Sequence, residues 1–220
     1  MTRLVVFDLD GTIVDSASQI VAAMRAGYTA AGCVAPDGPA ILSIVGISLP
    51  QAVERLSPGV DAWTRDLIVT GYRAAFRADT RVPPLYNGAA ETLVRLAERG
   101  DLRLSVATGK TKRGLLKVLD QHGLRPLFHS LHGGDEHPSK PNPAMLCAAM
   151  AAADVGSGDT LMVGDSVFDI EMAVTAGVRA FGVSWGYCLP RTLLAAGASA
   201  VLEDFRHLPG MLDGTRGHAA

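Results

Sequence analysis

Short runs of apolar, β-branched residues alternate along this chain with stretches whose apolar residues recur every three or four positions. That alternation constrains the fold more than any other feature. The strong runs cover residues 4–9, 102–107, 160–163 and 180–183, with weaker ones at 130–132 and 200–202. Between them, Ala90, Leu93, Val94 and Ala97 share a helical face, as do Leu115, Leu116 and Leu119 ahead of Gly123. Asn142 then Pro143 reads as an N-cap and first helical residue, with Leu146, Ala149, Met150 and Ala153 as the buried stripe. Ile170, Ala173 and Val174 precede Gly177, a helix-ending glycine. Strands alternating with helices imply right-handed crossovers and a mainly parallel sheet. Runs that are apolar throughout are strands covered on both faces. The expected fold is α/β: a Rossmann-like, mainly parallel sheet flanked by helices.

Residues 16–83 break the alternation. Ile20, Val21, Met24 and Tyr28 fit one helix, and Leu67, Ile68, Gly71, Tyr72 and Ala75 fit another, with no convincing strand between them. Pro36 and Pro39, a Ser-Pro-Gly turn at 57–59 and Pro83-Pro84 punctuate the segment. We read 16–83 as an all-helical domain inserted after the first strand. Residues 1–15 and 84–220 are then a discontinuous core, with a loose tail after Asp213.

Composition narrows the function classes. Hydrophobic residues at 48% supply a core and exclude a disordered or fibrous chain. Lys and Arg number 20 against 22 Asp and Glu, so there is no electrostatic footprint for nucleic acid or an anionic membrane. Positive charge for an anionic ligand must therefore be local. Cys33, Cys147 and Cys188 are odd in number and widely spaced, which fits a reducing compartment. Asp8 and Asp10 interrupt the first apolar run, so no signal peptide is expected, and no apolar stretch approaches the roughly 18–20 residues of a membrane span. The expectation is a soluble, cytoplasmic protein. Nothing in the sequence specifies an oligomeric state.

Ligands in such folds sit at the carboxyl ends of the strands. The first run ends in Phe7-Asp8-Leu9-Asp10-Gly11-Thr12, two carboxylates that could share a divalent cation, one of them a nucleophile. The second ends in Ala107-Thr108-Gly109-Lys110, offering a hydroxyl and an open backbone N–H suited to phosphate oxygens. Ser139-Lys140-Pro141-Asn142-Pro143 sets Lys140 at the start of a helix, where the dipole disfavours a cation, so the ammonium has a job. Val163-Gly164-Asp165-Ser166 supplies Asp165, with Asp169 one turn on, to complete a cation site or hold Lys140. Singly, each has an ordinary reading as an acidic turn, a strand-end turn, a solvated lysine or a helix cap. Together they place a magnesium ion, a nucleophilic carboxylate and phosphoryl donors on one sheet edge. That is a phosphoryl-transfer site.

In that order the chain resembles the haloacid dehalogenase superfamily, and within it the phosphoglycolate-phosphatase-like group with a small helical cap. The motifs are Asp8-Leu9-Asp10-Gly11-Thr12, Thr108, Lys140 and Gly164-Asp165-Ser166-Val167-Phe168-Asp169. The resemblance extends to Asn87-Gly88, Gly133-Gly134-Asp135 and Gly182-Val183-Ser184-Trp185-Gly186, and so covers nearly the whole chain. It implies a magnesium-dependent phosphatase of a small phosphorylated metabolite. Asp8 would form an aspartyl-phosphate, and Asp10 would protonate the leaving alcohol and then activate water. Magnesium would be held by Asp8, the backbone carbonyl of Asp10 and Asp165, with Asp169 assisting or orienting the others. Thr108 and the Gly109 N–H would hold phosphoryl oxygens, and Lys140 would offset the charge of Asp8 and the phosphate.

Some branches close on residues. Dehalogenases of the superfamily lack the second acid, because a halide needs no proton, and Asp10 argues against them. Phosphonate-cleaving relatives use a cap lysine, and no lysine precedes Lys110. Phosphosugar mutases, nucleotidases and pyrophosphatases stay open. A receiver-like phospho-acceptor module is the non-enzyme alternative, although such domains are shorter and uncapped. In the cap, Arg25, Arg55, Arg65, Arg73, Arg77 and Arg81 could meet a substrate carboxylate, though most belong on solvated faces. Ile47, in the loop 45–48, offers a leaving group shape rather than charge. His129, His132 and His137 match no zinc spacing and read as a loop. The crossings near Asp15-Ser16 and Pro83-Pro84 are expected to form a hinge.

Overall fold

Six strands pair in parallel in the computed structural model, which describes residues 2–214. They are β1 (Arg3–Phe7), β2 (Leu102–Ala107), β3 (Ser130–His132), β4 (Thr160–Gly164), β5 (Arg179–Val183) and β6 (Ala200–Leu202), in the order β3-β2-β1-β4-β5-β6. Every pairing is parallel, as the uninterrupted apolar runs require. In the central β1, Val5 and Phe7 enter the core on one face, and Leu4 and Val6 enter it on the other. Each such buried side chain contributes about 1.5–3 kcal/mol.

Helices cover both faces. Helices α5 (Ala89–Ala97), α6 (Lys112–Gln121) and α10 (Leu208–Gly214) pack on the Phe7 side. Helices α7 (Ala144–Ala153), α8 (Val167–Thr175) and α9 (Pro190–Ala195) pack on the Leu4 side. The fold is the expected α/β architecture, and the tail beyond Gly214 lies outside the described residues.

Three local readings change. The first apolar run predicts strand to Leu9, but β1 stops at Phe7. The N–H groups of Thr12, Ile13 and Val14 all donate to the Leu9 carbonyl, so a turn takes over there while Leu9 stays buried. Pro143 is the N-cap of α7 rather than its first helical residue, and Asn142 Oδ1 accepts from the Ala144 N–H at 3.0 Å. Lys140 thus stands ahead of the helix, and burial rather than the helix dipole is what its position costs. In α5 the buried face is Ala89, Thr92, Leu93 and Leu96, which leaves Val94 exposed.

Between β1 and α5 lie α1 (Ala17–Ala30), α2 (Gly38–Leu42), α3 (Leu49–Leu56) and α4 (Ala62–Ala78). They enclose their own core of Ile20, Met24, Tyr28, Ile41, Val53 and Ile68. Helices α1 and α4 touch through glycine, since a Cβ on Gly71 would stand 2.9 Å from the Gly27 Cα. The segments leading into and out of this helical unit run side by side. Asp15 N–H donates to the Pro84 carbonyl at 2.8 Å, and Tyr86 N–H to the Ile13 carbonyl at 3.0 Å. Among the described residues no helix is long and apolar enough to cross a membrane, and the three cysteines are free.

Candidate active site

Parallel strands bring their carboxyl ends to one edge of a sheet, and the polar residues that follow β1, β2 and β4 meet there. Asp8 extends β1 by one residue, its N–H donating to the Val163 carbonyl at 2.9 Å. Gly11 then turns the chain with φ +88°, and a Cβ on it would lie 2.3 Å from Asp165 Oδ2. Only glycine leaves Asp165 its place beside the turn. Thr12 Oγ1 and the Tyr187 N–H donate to the two Asp165 oxygens at 3.2 and 2.9 Å.

Lys140 is wholly buried at the centre of the site. Its ammonium donates to Asp8 Oδ1 at 2.8 Å and to Asp169 Oδ1 at 2.5 Å. Asp169 Oδ2 accepts from the Ser166 N–H and hydroxyl, at 3.1 and 2.6 Å. This closes a capping box at the start of α8. Asp169 therefore joins helix initiation to the lysine.

Oxygens of Asp8, Asp165 and Asp169 lie within 4.8 Å of one another, the one such group among the described residues. Three buried carboxylates against one ammonium leave excess negative charge. Burial, opposed by Lys140 and reinforced by the Asp169 charge, pushes the Asp8 carboxyl up to about 7. Burial, then the charges of Asp8 and Asp169, hold Asp165 well above the usual carboxylate range. Burial alone would lower the Lys140 ammonium, but Asp169 and Asp8 outweigh it and hold it above the ordinary lysine range. An all-oxygen, acid-rich donor set of this kind fits a hard divalent cation.

Asp10 stands apart from that group. Its Oδ1 accepts from the Ser16 hydroxyl at 2.6 Å, and Lys110 Nζ lies 3.0 and 2.8 Å from its two oxygens. The Lys110 ammonium also sits 4.6 Å from the centre of the Phe76 ring on α4. Neither Ser16 nor Lys110 stood out in the sequence. Ser16 read as linker, and Lys110 read as the neighbour of Thr108 and Gly109.

Thr108 is buried at the end of β2, its N–H donating to the His132 carbonyl at 3.1 Å and its Oγ1 accepting from the Lys110 N–H at 3.2 Å. Gly109 lies under the loop 45–48, so that a Cβ on it would stand 2.5 Å from the Gly46 carbonyl oxygen and 2.7 Å from that of Ile47. Ser48 N–H donates to Ser139 Oγ at 2.7 Å, one residue before Lys140. The helical unit is thus closed onto the sheet edge. A cleft of about 810 Å³ remains between them, lined by Asp8, Asp10, Thr108, Gly109 and Lys110 from the core and by Ile47 and Phe76 opposite. The structure brings Asp8, Asp10, Thr108, Gly109, Lys140, Asp165 and Asp169 into one neighbourhood. His132 and His137 pair with each other at 3.2 Å and take no part in the acidic group.

Residues 5–183 match the family model described as haloacid dehalogenase-like hydrolase. A phosphoglycolate phosphatase of Pseudomonas fluorescens is 33% identical over 221 residues, covering 97% of this chain and 81% of that protein. A phosphoglycolate phosphatase of Vibrio parahaemolyticus is 30% identical, covering 94% of each. Among solved structures, a predicted phosphatase from Clostridium acetobutylicum superposes with a TM-score of 0.87 at 25% identity, covering 97% of this chain and 99% of that one.

Proposed function

We propose roles in phosphoryl transfer for Asp8, Asp10, Thr108, Gly109, Lys140, Asp165 and Asp169 of this chain, which belongs to the haloacid dehalogenase-like hydrolase family and is a phosphoric monoester hydrolase. The substrate class we propose is a small phosphorylated metabolite, with phosphoglycolate, the substrate named for its relatives, the first candidate. One observation carries the reading: a buried carboxylate, Asp8, held by Lys140 at 2.8 Å and opening onto the same cleft as a second acid, Asp10.

In the first step an Asp8 oxygen attacks phosphorus while the bond to the leaving oxygen breaks, and Asp10 gives that oxygen its proton. In the second, water attacks the aspartyl-phosphate, Asp10 takes the water's proton, and the Asp8 carboxylate is regenerated. Thr108 and the Gly109 N–H hold phosphoryl oxygens, and Lys140 keeps Asp8 oriented and its charge offset. Asp8, the Asp10 backbone carbonyl and Asp165 would hold magnesium, with Asp169 positioning Lys140, and the bound ion would offset charge on the phosphoryl group. Residues 16–83 act as a cap that swings on the paired segments near Asp15-Ser16 and Pro83-Pro84, excluding water in the first step and admitting it in the second. Free cysteines agree with a cytoplasmic setting.

Two variants probe these parts. Ser16→Ala removes the hydroxyl donor to Asp10, and kcat is expected to fall about tenfold with the melting temperature little changed. Unchanged kcat would show that Asp10 does not need this orientation. Gly109→Ala sets a methyl against the Gly46 and Ile47 carbonyls, which blocks closure, and kcat/KM should fall on the order of 10²-fold. A variant as active as the parent would mean that the closed contact is dispensable.

The direct test is phosphate release from phosphoglycolate, sugar phosphates, nucleoside monophosphates, pyrophosphate and an aryl phosphate, with magnesium or with chelator. Magnesium-dependent release, fastest from phosphoglycolate, is the expected result. A nucleotide or pyrophosphate as best substrate would replace the substrate class, and transfer between sugar positions without release would point to a mutase. Release undiminished by chelator would overturn the metal-assisted mechanism.

A further inference from the structure

The cleft is far larger than a two-carbon phosphate ester needs, and its outer part is cationic. Arg73 and Arg77, one turn apart on α4, line it from the cap, and Arg113 and Lys117, one turn apart on α6, line it from the core. Phe76 on α4 lies over the Lys110 ammonium, in the loop that leads into α6, so the cap wall and the core wall meet at the inner end of this part of the cleft. The other cations of the lining have partners: Lys110 holds Asp10, and Arg81 holds Asp79 at 2.6 Å. Among the described residues, Arg73, Arg77, Arg113 and Lys117 form no ion pair and no side-chain hydrogen bond. The acids of the lining are engaged elsewhere, Asp8 by Lys140 and Asp135 by the Lys112 N–H at 2.7 Å. Like charges on opposing walls repel, and they oppose closure of the cap unless an anion lies between them. A narrow cleft focuses that potential on an entering ligand, and arginine forks suit carboxylate or phosphate oxygens.

We propose that the outer cleft is a second anion subsite. It binds a carboxylate or phosphate carried by the leaving group, several bonds from the phosphate that is cleaved. The proposal rests on the phosphatase reading and extends the substrates beyond phosphoglycolate to elongated monoesters with a charged far end, such as phosphorylated sugar acids or sugar bisphosphates. Ion pairing across the gap would then couple substrate charge to cap closure.

Matched ligands test it. 6-Phosphogluconate and sorbitol 6-phosphate differ at the far end by one carboxylate, and glucose 1,6-bisphosphate and glucose 6-phosphate differ by one phosphate. Binding to Asp8→Asn protein, measured by calorimetry, should favour the charged member of at least one pair tenfold or more. The pair that discriminates tells carboxylate from phosphate recognition. Combining Arg77→Ala with Lys117→Ala should erase most of the preference, as should 0.5 M salt, which shortens the Debye length to about 4 Å. Arg191→Ala, outside the cleft, should leave it intact. Equal binding within both pairs, or a preference that survives the double substitution, overturns the subsite. Failure of the wild-type protein to hydrolyse any of these esters would count against the phosphatase reading, while the binding comparison would still decide the subsite.

Discussion

Asp8→Asn is expected to lower kcat by at least about 10³-fold while leaving the protein folded. The amide keeps the shape of the side chain but cannot attack phosphorus. It also takes one negative charge out of the group formed by Asp8, Asp165 and Asp169, so the melting temperature without metal should hold or rise. A pH signature follows. The Asp8 carboxyl titrates at about 7 in the folded protein, against about 3.9 when unfolded, so the folded state binds more protons between those values. With metal chelated, stability should therefore fall as pH rises from about 4 through 7, and the fall should be shallower in Asp8→Asn. Thermal melts across pH read both effects. Near-normal turnover in the variant would remove Asp8 from the chemistry.

Lys140→Met is expected to show the largest loss of stability. Its ammonium is fully buried and joins Asp8 to Asp169, so the substitution leaves two buried carboxylates without their cation. Breaking a buried pair from one side costs about 3–5 kcal/mol, a drop in melting temperature on the order of 10 °C for a chain of this size. Activity should fall below detection. Adding Asp169→Asn to the same protein should restore part of the stability, because it removes one of the stranded charges. A melting temperature within about 2 °C of the parent, on the scale of 1 kcal/mol, would show that the lysine is not bearing that charge.

Much of this arrangement was legible in the sequence because right-handed crossovers leave little choice of topology. Once the six apolar runs are strands, Asp8, Thr108 and Asp165 must arrive at one edge, and Asp169 follows one helical turn later. Apolarity misled only where it marks burial rather than pairing. Leu9 is as buried as Phe7, yet its carbonyl serves a turn and not a ladder. Val94 shows the related ambiguity of a short helix, where spacings of three and four describe two neighbouring faces. The groups around Asp10 were not legible. Ser16 reaches it from the start of the cap and Lys110 from the far side of the β2 turn, contacts that depend on how far each side chain extends rather than on any spacing. The loop 45–48 likewise meets Gly109 and Ser139 only through the closure of one layer on another.

The most direct test of the account is whether Asp8 carries the phosphoryl group. Asp10→Asn protein is mixed with an aryl phosphate, whose leaving group needs no proton, and quenched in acid within one turnover. The account predicts a burst of aryl alcohol equal to the enzyme present, then a stall. Peptide mass spectrometry should find one phosphoryl group on Asp8, lost on treatment with hydroxylamine. Steady release without a burst and without label on Asp8, or label on another residue, would contradict it.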